Sequence, residues 1–165
     1  MSLTSIISKL YFRPRWKELE HYKQGGAALQ NEVLRYLISR GKETEYGQSH
    51  YFPMMKGYED FAKFIPVNTY EELKGDIDRM RHGEKNILWP GEVKWYAKSS
   101  GTTNDKSKFI PVTPEGLKNL HYQGGGDVVA LYLRNHPESH IFEGRSLILG
   151  GSHSPNYDLP NSLVG

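Results

Sequence analysis

Apolar residues recur at helical spacing through the first third of the chain. Trp16, Leu19 and Tyr22 fall on one face, and Leu29, Val33, Leu34, Leu37 and Ile38 on one stripe. Pro14 suits the first turn of a helix, where a missing N–H goes unnoticed, so a start near it is predicted. Gly25-Gly26 is expected to weaken or interrupt the helix, and Gly41 to stop it. Residues 42–66 read as loop with short elements, anchored by Phe61, Phe64 and Ile65 ahead of Pro66. Thr69-Tyr70-Glu71-Glu72 has the spacing of a capping box, and Leu73, Ile77 and Met80 give the helix it opens a buried face as far as Gly83.

The pattern then changes. Lys94-Trp95-Tyr96-Ala97 and Lys108-Phe109-Ile110-Pro111-Val112 carry aromatic and β-branched residues and read as strands joined by a hairpin-like loop. Pro111 marks the second as a short or edge strand. Thr113-Pro114-Glu115 opens another helix, with a bend expected at Gly124-Gly125-Gly126 and a stop before Pro137. Ser146-Leu147-Ile148-Leu149 reads as a buried strand leading into the loop Gly150 to Pro155. The expected class is α/β, a helical third followed by strands. Strands so late and so few lack partners, so residues 1–165 are expected to be the N-terminal portion of a larger domain.

Composition narrows the chemistry. The chain has 165 residues, enough for one domain with a core. Its 21 Lys and Arg against 19 Asp and Glu are interspersed, which offers no track for nucleic acid. With no cysteine, disulfides, thiolate catalysis and Cys-ligated zinc are excluded. The longest apolar run, Val128 to Leu133, is far short of a membrane span, and Met1 to Phe12 does not read as a signal peptide. The cytoplasm is the expected location. Leu3, Ile6, Ile7 and Leu10 make an amphipathic start, open to membrane contact but better suited to packing on the parent domain.

The candidate chemistry lies between the two strands, in Ser99-Ser100-Gly101-Thr102-Thr103-Asn104-Asp105-Lys106-Ser107-Lys108. A polyphosphate is held by backbone N–H groups, hydroxyls and a cation, each charge-assisted hydrogen bond contributing about 1.5–3 kcal/mol. Gly101 lets the backbone approach closely, and Ser99, Ser100, Thr102 and Thr103 supply short donors. Lys108 supplies a point charge able to follow moving phosphates. The string is neither G-x-x-x-x-G-K-[ST] nor G-x-G-x-x-G. The same residues also make a good plain turn, and composition leaves both readings open. Of the seven histidines, His136 and His140 are four apart, but Pro137 intervenes and no third ligand is near, so no metal site is expected.

These pieces fall into a familiar order. Phe61-x-x-Phe64-Ile65-Pro66-Val67-x-Thr69-Tyr70-Glu71-Glu72 is followed by Ile77, Arg81-x-Gly83, Trp89-Pro90-Gly91, Ser99-Ser100-Gly101-Thr102-Thr103 and Lys108-Phe109-Ile110-Pro111. Over most of residues 28–115 this resembles the auxin-responsive acyl acid–amido synthetases, the Gretchen Hagen group of plants and its bacterial relatives. Gly47 after Glu45-Tyr46 fits as well.

The resemblance implies the adenylate-forming superfamily, with a large α/β domain and a smaller C-terminal one. It implies ATP and Mg2+, a small-molecule carboxylic acid, and an amine, often an amino acid, joined through an acyl-adenylate. Residue by residue, Ser99, Ser100, Gly101, Thr102 and Thr103 match the motif that holds the ATP phosphates, and Lys108 matches its catalytic lysine. Leu117, Leu120 and His121 become candidate walls of the acyl pocket by the same analogy, against the plainer reading that the leucines pack the core. The family's adenine, ribose and Mg2+ contacts and its C-terminal-domain lysine are expected beyond residue 165, so these residues alone are not expected to be active. Two other functions stay open: transfer of the acyl group to a thiol, and a non-catalytic remnant of the same fold.

Overall fold

The computed structural model describes residues 3–99, 107–150, 154–155, 159 and 163–164. Its first element is a single helix, α1 (Leu3–Gly41). Pro14 lies inside this helix and does not open it. The apolar spacing of Leu3, Ile6, Ile7 and Leu10 carries the helix upstream, and a proline there removes only one hydrogen bond of the ladder. Gly25-Gly26 does not interrupt it either, because their backbone groups pair like any others. The Leu29 side chain fills the space a Gly25 Cβ would take. Gly41 is the stop that was expected.

The chain divides into two compact units, and the boundary falls within α1 between Leu29 and Gln30. The first unit joins residues up to Leu29 with Pro114–Gly150. Here a short helical turn, α5 (Pro114–Gly116), continues into a π-helical segment, Leu117–Tyr122, and then α6 (Gln123–Asn135). The irregularity precedes Gly124-Gly125-Gly126, and α6 runs through the triplet unbroken. Tertiary pairing holds it there. Arg15 grips Asp127 with two bonds, Nε to Oδ1 at 2.5 Å and Nη2 to Oδ2 at 2.8 Å. The Trp16 indole N–H donates to the Ala130 carbonyl at 2.8 Å, and Arg134 pairs with Glu20. Ala130 and Leu133 are buried.

The predicted strand Ser146–Leu149 is corrected by the structure. It has no strand geometry, and Leu147, Ile148 and Leu149 are 87%, 85% and 89% exposed. An apolar run becomes a strand only when a neighbour takes its hydrogen bonds, and among the described residues none does.

The second unit joins Gln30–Thr113 with the described residues after Gly151. After α1 come α2 (Glu45–Ser49), a 3-10 turn (Phe52–Met54), α3 (Tyr58–Phe64) and α4 (Tyr70–Arg81). Then follow β1 (Trp95–Lys98) and β2 (Phe109–Val112), with β3 (Ser154–Pro155) and β4 (Leu163–Val164) closing the order. The sheet has four strands in the order β2-β1-β4-β3. β1 pairs antiparallel with β2, Lys98 opposite Phe109 and Trp95 opposite Val112, and parallel with β4. β2 is therefore an edge strand, as Pro111 requires. Ile77, Met80, Ile87, Val93 and Tyr96 form the core, with Tyr70, Leu73, Leu88 and Phe109 packed against it.

Two turns fasten this unit. The buried Thr44 hydroxyl donates to the Gly41 carbonyl at 2.7 Å and accepts the Gly47 N–H at 3.0 Å. A Cβ on Gly47 would lie 2.0 Å from the Gly41 oxygen, so the position demands glycine. The turn Asn86–Gly91 supplies carbonyls to the first N–H groups of α2, Asn86 to Glu45 at 2.8 Å and Ile87 to Tyr46 at 3.1 Å. Among the described residues no helix is long and apolar enough to cross a membrane.

Candidate functional site

The alternation of β1 and β2 brings the two ends of the hydroxyl-rich segment together. The Ser99 N–H donates to the Lys108 carbonyl at 2.9 Å, and the Lys108 N–H returns to the Ser99 hydroxyl, also at 2.9 Å. The hairpin thus extends one pair past the strands, and Ser99 spends its lone pair on closing it. Ser100, Gly101, Thr102 and Thr103 lie outside the described residues. Ser99, of the expected phosphate-binding set, and Lys108, the expected catalytic lysine, are adjacent across the hairpin.

Lys108 is exposed, and its ammonium sits over the Tyr70 ring, 5.4 Å from the centroid. Among the described residues no carboxylate pairs with it. Next to it the Phe109 N–H donates to the Tyr70 hydroxyl at 3.0 Å. The Arg81 guanidinium lies 3.6 Å from the centroid of the Phe109 ring and donates to Asp78 at 3.1 Å. Its Nε is buried without a hydrogen-bond partner. Beneath the hairpin, the Tyr96 hydroxyl donates to the Val93 carbonyl at 3.0 Å. Burial pushes its pKa up to about 12, with the nearby Arg81 charge opposing the shift.

The proposed acyl-side residues lie in the first unit, on the π-helical segment. Leu117 is half-buried, Leu120 is 75% exposed, and His121 is exposed with its ring edge-on to Tyr122. Of the loop after Leu149, residues 151–153 lie outside the described ones. His136 and His140 each face a glutamate, Glu138 at 3.6 Å and Glu143 at 2.6 Å. Among the described residues no group of three His, Cys, Asp or Glu is arranged to hold a metal ion.

A family model described as the GH3 family N-terminal domain matches residues 15–157. The chain belongs to the GH3 family. The match reaches well past the stretch of residues 28–115 on which the resemblance was read, and takes in the Arg15–Asp127 pair and all of α6. Its relatives include the indole-3-acetic acid-amido synthetase GH3.15 of Arabidopsis thaliana, 31% identical over 121 residues, 73% of this chain and 20% of the relative. The indole-3-acetic acid-amido synthetase GH3.6 of the same plant is 31% identical over 90 residues, 54% of this chain and 15% of the relative. This GH3 chain therefore spans about a fifth or less of the curated relatives it matches. A solved structure of the GH3.15 acyl acid amido synthetase in complex with 2,4-DB is similar over 90% of the chain and 26% of its own length, with a TM-score of 0.77 at 26% identity.

Two GH3 residues at the hairpin, Tyr70 and Arg81, were not among the predicted site residues. Both stood in the resemblance, but nothing local in their spacing announces a contact with Phe109, which lies 39 positions beyond Tyr70.

Proposed function

We propose that the chain is the polyphosphate-binding N-terminal portion of an ATP-dependent acyl acid–amido synthetase. The observation that carries this reading is the hairpin closed by Ser99 and Lys108 in a chain of the GH3 family, with the exposed Lys108 ammonium at its mouth over the Tyr70 ring. In this reading Ser100, Gly101, Thr102 and Thr103 hold the ATP phosphates, and Ser99, whose N–H is taken by the Lys108 carbonyl, contributes through its hydroxyl proton. Lys108 leaves the Tyr70 ring to neutralise charge that grows on the departing pyrophosphate. A cation–π contact at an exposed site is worth only about 0.5–1 kcal/mol, so a polyphosphate outcompetes it.

The reaction proposed has two steps. A carboxylate oxygen of the acid bonds to the α-phosphorus of ATP while the bond to the bridging oxygen breaks, and pyrophosphate leaves with that electron pair. The amine nitrogen then bonds to the acyl carbon, the bond to AMP breaks, and the nitrogen loses a proton. Mg2+, carried on ATP, would supply further neutralisation of the phosphate oxygens. Leu117, Leu120 and His121 are assigned to the acyl side, and the half-burial of Leu117 favours it over the other two. An amine is preferred over a thiol as acceptor because the curated relatives are named amido synthetases. The absence of cysteine agrees with the cytoplasm as its compartment.

The test is ATP–pyrophosphate exchange by the full-length gene product with a panel of carboxylic acids that includes indole-3-acetic acid and 2,4-DB. Lys108→Ala and Ser100→Ala should lower exchange about 10–100-fold while the thermal midpoint stays within a few degrees. Folded protein that supports no exchange with any acid overturns the reading.

A further inference from the structure

The two ends of α4 grip one residue of the hairpin. Tyr70 opens the helix and takes the Phe109 N–H on its hydroxyl, and Arg81 closes it and covers the Phe109 ring. The backbone pattern explains why Phe109 needs the first contact. Ser99 and Lys108 exchange bonds across the hairpin, so in antiparallel alternation the next pair, Lys98 and Phe109, points its amides away from each other. β2 is the edge of the sheet, and among the described residues no strand lies on that side. The Tyr70 hydroxyl stands where a neighbouring strand's carbonyl would be. Tyr70 is itself pinned, because the Glu72 carboxylate reaches back to the Thr69 N–H at 2.6 Å and the Thr69 hydroxyl at 2.7 Å.

We propose that Tyr70 is a positioning residue for the nucleotide hairpin, its hydroxyl fixing the strand on which Lys108 is carried and its ring holding the Lys108 ammonium until a polyphosphate draws it away. The proposal rests on the adenylation reading and extends it to a residue outside the loop. The tyrosine acts at a distance of one peptide from Lys108, so it sets where the charge is presented and takes no part in bond-making. Losing the hydroxyl alone leaves the ring under Lys108 and frees the strand. Losing the ring as well removes the resting place.

The experiment uses the full-length gene product with ATP·Mg2+ as the probe, and separates three variants. Tyr70→Phe should raise KM for ATP in pyrophosphate exchange about fivefold with kcat within about twofold, and should speed exchange of the Phe109 amide with solvent by a similar factor. Tyr70→Leu should raise KM further. Ile38→Val, in a buried position outside the core beneath the hairpin, should lower the thermal midpoint and leave both readouts unchanged. Unchanged Phe109 amide protection in Tyr70→Phe overturns the anchor, and an unchanged KM in an active enzyme overturns its role in nucleotide binding. Wild-type protein that shows no exchange while Tyr70→Phe deprotects Phe109 sinks the adenylation reading and leaves the anchor demonstrated.

Discussion

Arg79 holds Glu45 through two parallel hydrogen bonds, Nη1 to Oε1 at 2.8 Å and Nη2 to Oε2 at 2.7 Å. The same guanidinium donates to Glu84 at 2.8 Å, so one side chain on α4 ties down both the start of α2 and the turn after its own helix. The bonds from Arg79 hold the Glu45 carboxyl below its ordinary pKa.

That shift has a sign. A carboxyl with a depressed folded pKa contributes stability above its unfolded value, and loses it as pH falls through the folded value. Glu72, held by the Thr69 N–H, and Glu20, held by Arg134 and Lys23, are shifted the same way. The urea midpoint should therefore fall as the pH drops below the ordinary carboxyl value of 4.5. In Arg79→Ala the midpoint at neutral pH should be lower and the acid fall shallower. An acid fall as steep as wild type would show that the pair does not supply it.

Two glycines should respond in opposite directions to the same substitution. Gly47→Ala drives a methyl into the Gly41 carbonyl and should destabilise the protein by about 3 kcal/mol or more. Gly75, inside α4, has open space around it, and Gly75→Ala should stabilise by about 0.5–1 kcal/mol. Chemical denaturation of the two variants decides, and equal effects would refute the close approach at Gly47.

Tyr96 is 1% exposed and spends its hydroxyl on Val93. Tyr96→Phe keeps the packing but orphans that carbonyl, at a cost of about 1–2 kcal/mol. Met80→Ala empties the same core and should cost about 2–5 kcal/mol. If the tyrosine change proves the costlier, the hydroxyl matters more than the packing.

In the first unit, the Arg15 and Asp127 side chains are 18% and 21% exposed, so salt should screen their pair only weakly. Asp127→Asn should destabilise by about 1–3 kcal/mol and expose α6 to faster amide exchange. The loss should persist in about 0.5 M salt. If salt erases the difference, the pair behaves as a surface contact.

Much of this was legible one stretch at a time. The capping box at Thr69–Glu72, the Gly41 stop and the antiparallel strands around the hydroxyl-rich segment all follow from spacing and local hydrogen-bond chemistry. The β1 boundary moved by one residue, from Lys94–Ala97 to Trp95–Lys98, since alternation locates a strand better than its ends. Ser146–Leu149 failed for a different reason: its apolar run is the same whether a neighbour covers it or water does. The helix irregularity fell at Leu117–Tyr122 and not at the glycine triplet, because Arg15 and Trp16, more than a hundred positions away, clamp α6 at Asp127 and Ala130.

From residues close together in the chain came the elements, their order, the hairpin, and enough of a signature to place the chain in its family. Proximity across long stretches was decided only in three dimensions: that the Tyr70 hydroxyl serves an edge-strand amide, that Arg81 covers Phe109, that the Gly41 carbonyl leaves no room at Gly47. Periodicity and capping are interactions over a few residues and can be read there. A long-range contact depends on what packing brings alongside, and no stretch of sequence carries its partner's address.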